Sequence, residues 1–365
     1  MKIGKVSEPV LKRSVLKYLK PNNDYVITGA AVGADCALFS NIEKAFSTEA
    51  EGMEQGSPDL KSKKSGILAA ATASVSGEKS KRSAAHAIYR ATNNLAAGGT
   101  VPFAVQLHIM LPERYREIAL KRIMEEAAAA AEELHITISG GHTEVMPQIT
   151  TPIISATALG YRKNDLECAE SLKSEKDMEF RDLEMKMAIG GNKKNVTPGQ
   201  EIIMTKWIGI SATALLAQEK EEELLTRYPL FFIKSAQNLE QYYSIIPEAA
   251  TASKSGISAM HDVAGGGIFG ALWELGERSG VGLQVDLKKI PIKQETVEVC
   301  EFFGYNPYEI RSDGALLIVT SKGHSLVEKL AAKGIPAEII GIITDNNDKV
   351  IINDDERRFL EPPRK

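Results

Sequence analysis

Apolar and polar positions recur along the chain at two periods, and they predict alternating strands and helices. A short strand over Asp24-Tyr25-Val26-Ile27-Thr28 runs into a turn from Gly29 to Asp35. The stretch from about Ser47 to Ser65 carries Gly52, Gly56, Pro58 and four residues Lys61-Ser62-Lys63-Lys64, which read as a surface excursion. Order resumes near Ile67, and from Ser83 an alanine-rich segment runs to Asn93-Asn94-Leu95 before Gly98-Gly99-Thr100-Val101-Pro102 breaks it. The clearest helix is predicted from Pro112 to Leu134, with Pro112 in its first turn and Glu117 four residues before Lys121. Ala119, Ile123, Ala127, Ala130, Ala131 and Leu134 share one face of it, and its alanines suit close packing on a sheet. Ile136-Thr137-Ile138-Ser139 then alternates like a strand. It is expected to turn at Gly140-Gly141-His142-Thr143-Glu144 and return as the strand Ile153 to Leu159.

Between Arg162 and Lys186 more than half the residues are charged, with signs mixed, which fits a solvated helix or insertion at a domain junction. Pro198-Gly199 opens a second series: a strand at Glu201 to Thr205, a turn at Gly209, a helix from Ser211 to Arg227 and a polar helical stretch to Ser253. Ile268, Ala271, Leu272 and Leu275 place a helix between Gly267 and Gly280. Strands at Val281 to Val285, Ala315 to Val319 and Glu338 to Ile343 follow, then a turn at Asp345 to Asp348 and a polar tail. The expected class is α/β (α+β), with domains over 1–160 and 198–345, a charged linker over 161–197 and a tail over 346–365.

At 365 residues the chain exceeds one ordinary core, so two domains are the expectation. A formal charge of -4 provides no footprint for nucleic acid. No run reaches the roughly 18 apolar residues of a membrane span, and the first residues lack a secretory apolar core. Cys36, Cys168 and Cys300 are far apart and odd in number, which points to a reduced, cytoplasmic protein. The six histidines form no His-x-x-x-His pair, which argues against zinc.

Four glycine-containing turns carry the candidate chemistry. Gly265-Gly266-Gly267 precedes a well-patterned helix, where amide groups and the helix dipole suit an anion, with His261 and Asp262 beside it; the alternative is a flexible entry for close helix packing. His142 and Glu144 could ligand a metal or move a proton, or simply decorate a β-turn. Asp35, just after its turn, suits Mg²⁺ or a backbone cap, and Lys206 suits a phosphate or plain surface exposure.

Six motifs in order resemble the aminoimidazole ribonucleotide synthetase (PurM-like) superfamily, in the branch related to the hydrogenase-maturation carbamoyl dehydratase. They are Gly33-Ala34-Asp35-Cys36-Ala37, Asn93 to Pro102, Gly140 to Glu144, Met204 to Ile210, Met260 to Gly267 and Ser312-Asp313-Gly314-Ala315-Leu316-Leu317. The resemblance implies a two-domain architecture: an N-terminal sheet domain that dimerises and a C-terminal α+β domain, with ATP and Mg²⁺ between them. It further implies a homodimer and phosphorylation of a carbonyl or amide oxygen on a small-molecule or protein substrate. By the same resemblance ATP would be held by Gly33, Asn93, Asn94, Gly140, Gly141, Thr143, Lys206, Gly265, Gly266 and Gly267. Asp35 and Glu144 would hold the metal, and His142, Glu144, His261 and Asp262 would carry the chemistry.

Several positions depart from the family pattern. Asn94 stands where an aspartate is usual, Ala71 to Ser74 carries no acid, and Ala264-Gly265-Gly266-Gly267 replaces a Thr-Glu-Gly-Gly element. The chain ends Leu360 to Lys365 without the resembled protein's terminal cysteine, so the cyanide-forming step is not expected of it. The competing expectation is a non-catalytic ligand-binding homodimer that has lost its Mg²⁺ acids.

Overall fold

The computed structural model describes residues 12–13, 16, 26–28, 34, 36–39, 66–76, 82–163 and 196–362. Gly33, Asp35, the 47–65 excursion and the body of the charged linker lie outside the described residues.

The first sheet holds six strands in the order β1-β2-β3-β6-β4-β5. They span Val26–Thr28, Ala37–Phe39, Gly66–Ser76, Val101–Leu111, Thr137–Val145 and Ile153–Lys163 for β1 to β6. Strand β6 alternates strictly, with Ile154, Ala156 and Ala158 buried and the residues between them half-buried. Its apolar face packs under helix α1, Ser83–Ala97, which α2, Glu117–Glu133, covers in turn. The other face is uncovered by any described residue and lined by hydroxyls, with Thr72 paired to Thr157 at 3.0 Å and Ser74 to Ser155 at 2.7 Å.

Two sequence expectations change here. Pro112 lies outside the helix, because β4 runs on to Leu111 and α2 starts only at Glu117, although the Glu117–Lys121 pair forms at 3.1 Å. Gly140 to Glu144 is not a turn: it is the interior of β5, which pairs parallel with β4, while β6 pairs with β3 and β4. A glycine is required at 141 because a Cβ there would fall 1.9 Å from the Leu107 carbonyl oxygen, where the β4 register shifts at Val105/Gln106.

The second sheet has seven strands in the order β13-β12-β9-β11-β7-β10-β8. Strands β7 to β13 are Glu201–Thr205, Ala259–Val263, Gly282–Asp286, Ala315–Thr320, Ala337–Thr344, Lys349–Asn353 and Glu356–Phe359. The last two occupy the expected polar tail, where β12 pairs with β9 and β13 with β12. Every residue of β10 is buried, since helices cover both faces at the sheet centre. The helix expected over Ser211 to Arg227 is two helices, α3 at Ile210–Glu219 and α4 at Glu221–Leu224, parted at Lys220. Helices α5, Leu230–Gln237, and α6, Ile246–Ser253, make up the helical stretch that follows. Helix α7, Gly267–Ser279, ends at left-handed Gly280 as its sequence predicts. Helices α8, Gln294–Phe303, and α9, Gly323–Ala331, complete the domain. No described helix is long and apolar enough to cross a membrane.

Candidate functional site

Helix α1 is buried along nearly its whole length, as its alanine content allows, yet His86, Arg90, Asn93 and Asn94 recur at helical spacing and form one polar face. That face looks onto the C-terminal half. Asn93 donates from Nδ2 to Tyr243 O at 2.7 Å and accepts from the Ile245 amide at 3.0 Å. It is an interdomain clamp, with both of its amide functions used within the protein. Asn94, with its amide oriented so that nitrogen meets acceptors, donates to Asp262 Oδ2 at 3.2 Å. The neutral amide therefore holds the carboxylate with which a charged residue would have competed.

Asp313 is the centre of the junction. It accepts from Ser211 Oγ at 2.8 Å, and Arg90 Nε, His86 Nε2 and Arg311 Nη1 stand 3.4, 3.5 and 3.9 Å from its oxygens. Burial alone would raise this carboxyl, but His86, Arg90 and Arg311 more than offset it and hold it well below the usual carboxylate range. Arg90 also donates to Ser74 O at 2.8 Å, so it ties the first sheet to this carboxylate.

The loop from β8 into α7 lies beside these arginines. Gly266 and Gly267 have φ of 91° and 63°, and a Cβ at Gly267 would meet Tyr308 O at 2.4 Å. Among the described residues beyond its chain neighbours, an added Cβ at Gly265 would come within 4 Å of Arg311 Nη2 alone, at 3.7 Å. Arg311 Nη1 is buried and, among the described residues, has no hydrogen-bond partner beyond its 3.9 Å ion pair with Asp313, while Nη2 lies beside Gly265 at the N-terminal entry of α7.

Two expected site residues are structural instead. Lys206 is buried, forms a 2.5 Å ion pair with buried Glu248, and donates to Tyr242 O and Ser244 O at 2.9 and 2.7 Å. Burial pulls its ammonium below the ordinary lysine value while Glu248 opposes that shift. His261 points into the core from β8, its Nε2 3.3 Å from Glu274 on α7, whereas Asp262 beside it faces α1. The two do not share a site. Gly140 and Gly141 serve strand pairing, and Thr143 faces away from His142 and Glu144.

His142 and Glu144 do come together, with a third residue that the sequence reading missed. His108 on β4 lies directly opposite His142, and its Nε2 is 3.0 Å from Glu144 Oε1. His142 Nε2 lies 4.0 Å from Glu144 Oε2, and the two imidazole centroids are 5.5 Å apart.

Two family models match the chain: "AIR synthase related protein, N-terminal domain" over residues 64–161 and "AIR synthase related protein, C-terminal domain" over 197–353. The chain belongs to the AIR synthase related family. Within that family it is 25% identical over 270 residues to carbamoyl dehydratase HypE of Rhizobium leguminosarum bv. viciae, covering 72% of this chain and 68% of the relative. It is 27% identical over 270 residues to a putative hydrogenase expression/formation protein of Methanocaldococcus jannaschii, covering 73% and 71%. Among solved structures, HypE in complex with ATP superposes with a TM-score of 0.62 at 16% identity over 99% of this chain and 96% of that one. ThiL complexed with AMPPCP and TMP superposes with a TM-score of 0.62 at 18% identity over 98% and 96%. The family's two-domain mixed α/β fold, with one sheet in each half, is thereby shared.

Proposed function

We propose that this protein binds ATP at the junction of its two domains and uses it to activate a carbonyl or amide oxygen of a small-molecule or protein substrate. The observation that carries the reading is the guanidinium of Arg311, whose Nη2 stands beside the Gly265-Gly266-Gly267 entry to α7 and whose buried Nη1 makes no hydrogen bond among the described residues. A polyphosphate there would gain the amide groups of the helix N-terminus, its dipole and a charge-assisted bond from arginine. Support also comes from the ATP and AMPPCP complexes of the two structural neighbours. When bound, ATP supplies the phosphoryl group that turns the substrate oxygen into a leaving group. Arg311 and Arg90 offset the charge on that group, and Asn94 keeps Asp262 oriented at its edge.

Mg²⁺ does not fit the described residues. Asp262 and Asp313 are held by Asn94 and by arginines, Glu144 shares its face with two imidazoles that do not suit Mg²⁺, and Asp35 lies outside the described residues. Hard cations prefer oxygen ligands, and no step of the proposed reaction is routed through one. The hold of Asn94 on Asp262 favours a second reading, a binding protein that retains the nucleotide cleft without turnover. In either case we infer a homodimer formed through the open hydroxyl-lined face of the first sheet, where Val101, Phe103 and Tyr161 are 58%, 43% and 41% exposed.

Calorimetric titration with a non-hydrolysable ATP analogue tests the site. Arg311→Gln is expected to lose about 1.5 to 3 kcal/mol, roughly tenfold to hundredfold in affinity, as for a hydrogen bond to a charged group. Unchanged affinity in that variant, or no binding to the wild type, removes the nucleotide from this junction. Release of inorganic phosphate with a candidate substrate separates the catalytic reading from the binding one.

A further inference from the structure

We propose that His108, His142 and Glu144 form a binding site for one divalent transition-metal ion of the zinc class. The site lies on the open face of the first sheet, at its β5 edge, and does not depend on the nucleotide reading. The observations are geometric. His108 and His142 are register partners on the parallel pair β4/β5, and Glu144 follows His142 by two residues on the same face. One ligand atom from each lies within 4.8 Å of the other two, and this is the group of that kind found among the described residues.

Zinc takes imidazole nitrogen at about 2.0 to 2.1 Å and carboxylate oxygen at about 2.0 to 2.2 Å, so tetrahedral ligand atoms stand about 3.3 Å apart. The observed separations of 3.0 Å for His108–Glu144 and 4.0 Å for His142–Glu144 bracket that value. The side chains are 42%, 68% and 39% exposed for His108, His142 and Glu144, so rotamer adjustment can close the set without moving backbone. The side facing away from the sheet leaves a coordination position for water, a ligand or, in the proposed homodimer, a donor from the partner subunit, as in sites built from two histidines and a glutamate.

Donor chemistry selects the ion. Two imidazoles suit zinc, cobalt, nickel or copper, whereas Mg²⁺ asks for oxygen and keeps its own waters. The absence of a His-x-x-x-His pair misleads because that spacing belongs to helices. Here a strand register does the same work, and the close approach of Gly141 to Leu107 helps to set it.

The full-length chain, stripped with EDTA and dialysed free of it, would be titrated with Zn²⁺ against a chromophoric chelator and, separately, with Co²⁺ while visible d–d absorption is followed. One ion per chain is expected, with about a hundredfold excess of Mg²⁺ failing to displace Co²⁺. His142→Ala and Glu144→Gln should each weaken Zn²⁺ by about 100-fold or more, since loss of even an outer-shell partner costs 10 to 100-fold. His142 is exposed and Glu144 half-buried, and matching melting curves in EDTA establish that the variants fold. Unchanged stoichiometry and affinity in His108→Ala/His142→Ala, displacement of Co²⁺ by Mg²⁺, or no Zn²⁺ binding to the wild type would each overturn the assignment.

Discussion

Replacing Lys206 by methionine separates a structural lysine from a phosphate-binding one. Lys206 and Glu248 are 5% and 2% exposed, and their charged atoms meet at 2.5 Å. Removing the lysine strands a buried carboxylate, at a cost of about 3 to 5 kcal/mol. The carbonyls of Tyr242 and Ser244 also lose their donor, at about 1 kcal/mol each before relaxation. These terms share one environment and do not simply add, so a loss of about 4 to 6 kcal/mol is expected. Lys206→Met/Glu248→Leu removes both charges and should regain most of that loss. Urea unfolding followed by tryptophan fluorescence reads the difference, because Trp207 adjoins the pair and stacks edge-on to Tyr242 with centroids 5.2 Å apart. A Lys206→Met protein within about 1 kcal/mol of wild type that no longer binds the ATP analogue would refute this reasoning and restore the anion role.

Two other perturbations have defined outcomes. Burial pushes the Glu126 carboxyl up to about 7, and its Oε2 has no hydrogen-bond partner among the described residues. A carboxyl raised above its ordinary 4.5 contributes stability that is full below that value and lost as pH rises through about 7. Glu126→Gln should therefore melt higher than wild type above pH about 7 and gain nothing near pH about 4.5, and a gain independent of pH would contradict the assignment. Gly141→Ala should lower the melting temperature by about 1 to 4 °C, from overpacking of about 1 to 3 kcal/mol against Leu107 O. Gly140→Ala, whose added methyl meets nothing within 4 Å, is the milder control, and equal losses in the two would show that strain in φ alone accounts for the effect.

The elements most legible in the sequence were those whose period stood alone. Ile268, Ala271, Leu272 and Leu275, with the stop at Gly280, define α7, and the apolar run Ala315 to Val319 lies in β10. Glycines misled where they marked close packing instead of a turn, as at Gly140 and Gly141 inside β5. Strand β4 was missed because Gly98 to Pro102 looked like a break, although Pro102 is tolerated within the strand; His108 was missed with it. The spacing of His86, Arg90, Asn93 and Asn94 in an alanine-rich helix did carry a readable signal, a polar stripe on a buried rod. The partners of that stripe, Asp313 above all, come from 150 or more residues away, and no local pattern joins them.

The two halves of this chain are not separable bodies. Ile210, Ala214, Leu239 and Tyr243, from the C-terminal half, belong to the core beneath the first sheet, while Ala96 and Ala97 of α1 belong to a core of the second domain. Each half thus completes the other's interior, and a cut between them would leave both with exposed apolar surface. The same interlock limits motion. A ligand entering the junction beside Arg311 must be admitted by local movement of loops and side chains, because swinging the halves apart would unpack two cores at once.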